Sequence, residues 1–298
     1  MLSLHTNNAA LSAQNSLSRT QSTLSTSMTR LSTGFRINSA MDDAAGLQIA
    51  TRLKAQTSGM AVAMRNTQNS ISMLQTAEGA LDEVTNILTR MKDLATQAAD
   101  GSSSGDDRTA MQSEYDALTD ELTNIVGNTS FGGSSLLSTK AGSKLNASID
   151  FQIGASSDEK MTFNISGADG ALTKMHTALV GTNTGRVYNS TGAAATGTGT
   201  AIATADDANT AIDSVTTAID AVATVRSSLG AAANRLDHVY NNLSNVSTNT
   251  ANATGRIMDV DFATESAKMT SNQMLMQAGT AMLKQSNSMS SMVMSLLQ

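Results

Sequence analysis

Histidine is the side chain best suited to moving a proton or holding a metal near neutral pH, and this chain has three: His5, His176 and His238. They lie far apart, and none sits in an HExxH-type spacing that would put two ligands on one helix face. They read as ordinary polar or interface residues. Asp42 and Asp43 form an adjacent carboxylate pair. Such a pair catalyses only where a pocket drives the two pKa values apart. At the start of a helical pattern it serves instead to cap the helix and to hydrogen-bond a neighbouring subunit. Asp259 and Asp261, in the run DVD, lack the glycine and the twelfth-position glutamate of a calcium loop. The GTGT run at Gly197 has no lysine where a phosphate-binding loop requires one. No catalytic residue, metal ligand or cofactor is assigned.

What remains unusual is a shortage of charge at both ends. Residues 269–298 carry one charged side chain, Lys284, and residues 1–30 carry only Arg19 and Arg30 besides His5. A surface helix in water normally shows charge on its outer face. Helices that are apolar on several sides, about 45 Å long for thirty residues, need copies of themselves as cover. The two ends are therefore expected to be poorly ordered alone and to fold on assembly.

Composition narrows the class further. The chain has 298 residues, no proline, no cysteine and no tryptophan, and a net charge of -6. Lack of proline suits long helices, because proline removes a backbone donor and clashes with the preceding turn. Lack of cysteine leaves stability to packing and assembly. An acidic balance without clustered Lys and Arg excludes a nucleic-acid surface. No cleavable leader and no membrane-spanning run is visible, so no membrane insertion is expected.

The elements follow from periodicity. Leu4, Leu11, Leu17, Leu24, Met28, Leu31 and Phe35 mark a helix over about 3–33, ended by Gly34. Leu53, Met60, Thr67, Leu74, Leu81, Leu88 and Ala95 repeat every seven residues, with Ala63, Ser70, Ala77, Val84, Met91 and Ala98 as companions. Met111, Tyr115, Leu118, Leu122 and Ile125 set a shorter helix over 106–126. The period then changes to two across Leu145–Ile153 and Met161–Ile165, which predicts a β-hairpin turning near Gly154–Asp158. Residues 181–204 are rich in Gly, Thr, Ala and Ser, with too little apolar content for a core, and read as an exposed loop or a minimal outward knob. Val215, Val222, Leu229, Leu236 and Leu243 resume the heptad. The last helix carries two stripes, Leu275, Met282, Met289 and Leu296 beside Met269, Met276 and Leu283, flanked by Met274 and Met292.

The fold expected is mainly α: long antiparallel helices forming a coiled-coil rod with both termini paired, a small β-hairpin region and a short variable loop. The expected parts are 1–40 and 255–298 as two halves of an inner tube-forming domain, 41–180 and 205–254 as a rod domain, and 181–204 as a surface loop. The self-assembly interface is placed on Leu17, Leu24, Leu31, Met274, Leu275, Met282, Met289 and Leu296.

Several segments resemble bacterial flagellins: RLSTGFRINSAMDDAAGLQIA at Arg30–Ala50, SLGAAANRLDHVYNNLSN from Ser228, RIMDVDFATE from Arg256, QAGTAML from Gln277 and the closing SLLQ. The resemblance covers roughly 1–180 and 205–298, in order. It implies a non-enzymatic subunit, exported unfolded through the flagellar type III route and polymerised into an extracellular filament for swimming. It implies a homopolymer, with an export chaperone, a cap and hook-junction proteins as further partners. LTRMKDLATQ at Leu88–Gln97 resembles the segment read by the flagellin-sensing Toll-like receptor, which puts Arg90, Leu94 and Glu114 at its main contact positions; Thr89 departs from the glutamine usual in strong agonists. Leu296 and Leu297 resemble the tail read by cytosolic sensors, with Gln298 in place of a common arginine. O-linked sugar on the Ser and Thr of the loop fits an exposed surface better than the triplets at Asn128 and Asn189. The alternatives are the hook–filament junction protein of the same family, a secreted adhesin or immune-active binding module, and an enzyme inserted in a flagellin frame. The last two need a central domain that 181–204 is too short to supply. Replacing Met282 and Met289 with Ala is expected to shorten or abolish filaments, read by electron microscopy and a swimming assay.

Overall fold

Without proline to interrupt them, the heptad segments form very long helices. The computed structural model describes residues 7–166, 170–186, 188–193 and 195–296, with side chains to 288. In chain order the elements are α1 (Asn8–Thr33), α2 (Ala44–Ala99), α3 (Gly105–Asn128), β1 (Ser130–Phe131), β2 (Ser134–Ser135), β3 (Ile149–Gln152), β4 (Lys160–Phe163), α4 (Ala171–Val180), α5 (Ala205–Met258) and α6 (Phe262–Leu296). Leu4 and His5 lie outside the described residues.

The helix ends are closed by the groups that local chemistry dictates. Asn7 accepts from the Ala10 N–H to open α1, and Gly34, at φ 76°, ends it by donating to the Arg30 carbonyl. Ser104 and Asp107 exchange hydrogen bonds at the start of α3 as a capping box. The Asp42/Asp43 pair divides its work. Asp43 accepts from the Gly46 N–H at 2.8 Å and opens α2, whereas Asp42 accepts from the N–H groups of Asn38 and Ser39 at 3.1 and 2.9 Å. Those backbone hydrogen bonds hold the Asp42 carboxyl below its ordinary pKa.

The chain divides into two compact units, one of residues 1–57 and 248–298, the other of 58–247. This first unit extends beyond the 1–40 and 255–298 expected from sequence. The reason is the connection between α1 and α2, which folds back on the first turn of α2. Ile37 is buried there, and a Cβ on Gly46 would stand 2.8 Å from its Cδ1.

The larger unit holds the main core. Leu74, Leu81, Leu88 and Met91 of α2 meet Tyr115 and Leu122 of α3, and Val215, Val222, Leu229 and Leu236 of α5. Each such side chain contributes roughly 1.5–3 kcal/mol by leaving water. Asp82 pairs with Arg226 at 3.0 Å while Met60 and Ala63 pack with Leu243, so α2 and α5 run antiparallel. The strands β1 and β2 form a hairpin whose two turn residues, Gly132 and Gly133, have φ of 58° and 79°. In the second hairpin Phe151 of β3 faces Met161 of β4, and both are buried.

Two features depart from the sequence reading. Residues 171–180 form α4, with Leu172, Met175, His176 and Leu179 buried. The stretch 181–204 is not an exposed loop: Thr182, Asn183, Tyr188, Ala195, Ala201 and Ile202 are buried in it. What its sparse apolar content does not supply, polar pairing with α3 does. The Tyr115 hydroxyl donates to the Thr182 carbonyl at 2.6 Å, Asn183 donates to Asp116 and Thr119 at 3.0 Å each, and the Ile202 N–H donates to Gln112 at 2.9 Å. Arg186 adds an ion pair with Asp120. At Gly127 and Gly192 the two backbones touch, and a Cβ on either would strike the other.

His176 sits inside this packing. Its Nε2 is 2.8 Å from the Leu137 carbonyl, which can only accept, so Nε2 carries the proton and Nδ1 accepts from the Tyr188 hydroxyl at 3.1 Å. Burial pushes the imidazole pKa below 6.5. The unfolded chain therefore takes up a proton near pH 6.5 that the folded chain does not. Stability should be intact above about pH 6.5 and fall as pH drops toward the lowered folded value. Asp42, Asp100, Asp107 and Asp261, all held below 3.8, titrate beneath this window. Urea unfolding at pH 7.5 and 5.5 should show the loss, and His176→Gln should flatten it.

Candidate functional site: the terminal helix pair

Alternation of three and four residues puts one stripe of α1 against one stripe of α6. On α1 the covered positions are Ala13, Leu17, Thr20, Leu24, Ser27 and Leu31; on α6 they are Glu265, Met269, Asn272, Met276, Gly279, Leu283 and Ser286. Both series step by four and three, the spacing of a coiled-coil seam. Three contacts set an antiparallel register. Ser27 donates to Glu265 at 2.6 Å, Leu17 lies 3.2 Å from where a Cβ on Gly279 would stand, and Asn7 donates to the carbonyl and hydroxyl of Ser286 at 3.3 and 3.2 Å. Ser27 and Glu265 are both buried. A buried carboxylate is costly unless it is bonded, so the pair favours one alignment over a slip along the seam. Nothing in the sequence pattern singled out this rung, although Ser27 stands at a seam position midway between Leu24 and Leu31.

The connections on either side of the pair are tied together. The Arg36 N–H donates to the Met258 carbonyl at 2.6 Å and the Val260 N–H donates to the Gly34 carbonyl at 3.0 Å. The Arg36 guanidinium also reaches the Ile257 carbonyl at 2.8 Å. Asp261 accepts from the Ala263 N–H and the Thr264 hydroxyl, which lowers its pKa and caps α6. The DVD run is thus a helix start, and no group of three His, Asp or Glu residues comes together among the described residues.

Cover on α6 is one-sided. Met274, Leu275 and Met282 are 60, 56 and 68 % exposed, and Ala278 and Ala281 continue the same open strip. The residues placed together on one interface therefore separate. Leu17, Leu24 and Leu31 belong to the seam within the chain, because α6 already covers them. Met274, Leu275 and Met282 form the open strip. Met289 and Leu296 belong to α6, but their side chains lie outside the described residues. Within the chain, α1 and α6 shelter each other along one face.

The second group of residues also separates. Arg90 and Glu114 form an ion pair at 2.7 Å, with side chains 54 and 46 % exposed. Leu94 is instead enclosed by its own chain at 2 % exposure, on the α2 face that carries Leu88, Met91, Ala95 and Ala98. Its side chain is not at the surface of the chain.

Comparison with known proteins matches both ends of the chain. Residues 4–142 fit the bacterial flagellin N-terminal helical region and residues 212–297 the bacterial flagellin C-terminal helical region. Polar flagellin F of Vibrio parahaemolyticus is 52 % identical over 164 residues, which is 55 % of this chain and 42 % of that protein. Flagellin C of Vibrio cholerae is 49 % identical, again over 55 % of this chain and 42 % of its own length. The chain thus spans less than half the length of these relatives. Among solved structures, Bacillus cereus flagellin is 34 % identical over 60 % of this chain and 88 % of its own, with a TM-score of 0.46. A Vibrio parahaemolyticus structure assigned as a flagellar hook-associated protein is similar in fold, with a TM-score of 0.55 at 15 % identity, covering 73 % of this chain and all of that one. With both of the family's helical regions present, in order and at opposite ends, the chain belongs to the bacterial flagellin family.

Proposed function

We propose that this chain is the repeating structural subunit of a bacterial flagellar filament, exported unfolded through the flagellar type III route and assembled outside the cell for swimming. The observation that carries this is the open strip on α6. Between Met269 and Ser288 the only charged side chain is Lys284, and the seam with α1 covers one face. Burying the remaining apolar area at about 25 cal/mol per Å² favours stacking terminal pairs of many copies side by side. Strip and seam lie on different faces of α6, so a copy can add without dismantling the pair it joins. The role is mechanical, not catalytic: interlocked terminal helices stiffen the polymer that carries motor torque. An export chaperone, a cap and hook-junction proteins are the further partners of this reading.

Recognition by a host Toll-like receptor is the second part of the proposal. Arg90 and Glu114 supply an exposed charged pair on α2 and α3. Leu94 contributes by holding that surface from within, since its side chain is in the core.

Purified chain incubated with short filament seeds should elongate them in electron micrographs, and its ends should gain protease resistance on assembly. Met282→Lys, which puts a charge in the strip, should stop elongation without shifting thermal unfolding of the larger unit. Glu265→Ala leaves the buried Ser27 hydroxyl without its acceptor, a loss of about 1–3 kcal/mol. Hydrogen exchange in α1 and α6 should then quicken about tenfold or more, with exchange in α3 unchanged.

A further inference from the structure

We infer that Met274 and Met282 form an oxidation switch on self-association, in which peroxide converts both thioethers to sulfoxides in the unassembled chain and so blocks the α6 strip. The inference rests on the assembly reading above and adds to it a modification site and the class of reagent that acts there.

The methionines of this chain fall into groups of very different access. Met274 and Met282 are 60 and 68 % exposed, whereas Met60, Met91, Met161 and Met175 are 3, 0, 4 and 0 % exposed. Met269 and Met276, on the neighbouring stripe, are half-covered by α1. A dilute oxidant therefore meets the strip well before the core. The sulfur lone pair attacks one peroxide oxygen, the O–O bond breaks and an S–O bond forms. Sulfur is oxidised by two electrons, and the second oxygen leaves as water after taking up the remaining protons. The product is a polar, chiral group on what was an apolar side chain. Leu275, Ala278 and Ala281 beside it offer no side-chain donor, whereas Ser271 and Gln285, three residues from Met274 and Met282, do. Burying it between copies costs its desolvation, which one such hydrogen bond offsets only in part. Reduction by methionine sulfoxide reductases, one enzyme for each epimer, returns the thioether, so the change is reversible. Copies already in a filament keep these sulfurs covered.

The test treats soluble full-length chain with dilute hydrogen peroxide, maps sulfoxides by peptide mass spectrometry and measures elongation on untreated seeds. Met41, 98 % exposed in the turn before α2, reports the dose in every sample. The expected result is sulfoxide at Met274 and Met282 with Met91 and Met175 intact, and elongation slowed about tenfold or more, the factor set by roughly 1.4 kcal/mol. Reductase treatment of the oxidised chain should restore the rate, and the conservative pair Met274→Leu and Met282→Leu should elongate equally with and without peroxide. Normal elongation by a chain carrying sulfoxide at both positions overturns the inference, as does equal sensitivity in the leucine pair. Failure of the untreated chain to extend seeds overturns the assembly reading itself.

Discussion

The first and last helices of this chain have almost no charge with which to face water, and each uses the other as its first cover. The seam between α1 and α6 depends on small and medium side chains that let the helices approach, and on a hydrogen bond from Ser27 to a buried Glu265. Apolar heptads by themselves permit several alignments, because sliding by seven residues restores the same pattern. A buried carboxylate narrows them, since losing the Ser27 hydroxyl leaves Glu265 with only the 3.7 Å ion pair to Lys268 on its own helix. The tie between Gly34–Arg36 and Met258–Val260 acts in the same direction by holding the roots of both helices together. Only with the alignment settled does the open strip on α6 have a defined shape to offer another copy.

The larger unit solves a different problem. Its long helices carry ordinary heptad cores, but residues 181–204 have few apolar side chains to contribute. They are held instead by side-chain and backbone groups that match the polar flank of α3: Gln112, Asp116, Thr119 and Asp120. Such packing is sensitive to removal of any one member, because the partner left behind stays buried without a bond. The two units thus rest on different physics, one on a charge-poor seam pinned by the Ser27–Glu265 and Asn7–Ser286 contacts, the other on a greasy core with a polar annex.

Much of the fold was legible because heptads are a strong signal. Leu74, Leu81 and Leu88, or Val215, Val222 and Leu229, leave little doubt about which face is inside, and the alternation at Phe151 and Met161 marks a hairpin just as directly. The α4 helix was less visible. Leu172, Met175, His176 and Leu179 have helical spacing, but ten residues are too short for the repeat to stand out. The packing of 181–204 left no trace in hydropathy, since hydrogen bonds between polar residues far apart in sequence have no period. The candidate site was half legible. Periodicity showed that α6 carries two apolar stripes, yet it could not say which one the chain itself would cover. Leu94 shows the complementary limit: a residue placed at the surface by likeness to a family motif sits inside once its own helix face is closed.

The placement of the aromatic hydroxyls has an optical consequence. Tryptophan is absent, and the tyrosines, Tyr115, Tyr188 and Tyr240, all fall within residues 58–247. Emission excited in the tyrosine absorption band, above the range where Phe35 and Phe262 absorb, is therefore a spectroscopic window on the larger unit alone. The terminal pair is dark at those wavelengths, so its melting passes unseen unless a dye, an amide-sensitive band or an introduced fluorophore reports it.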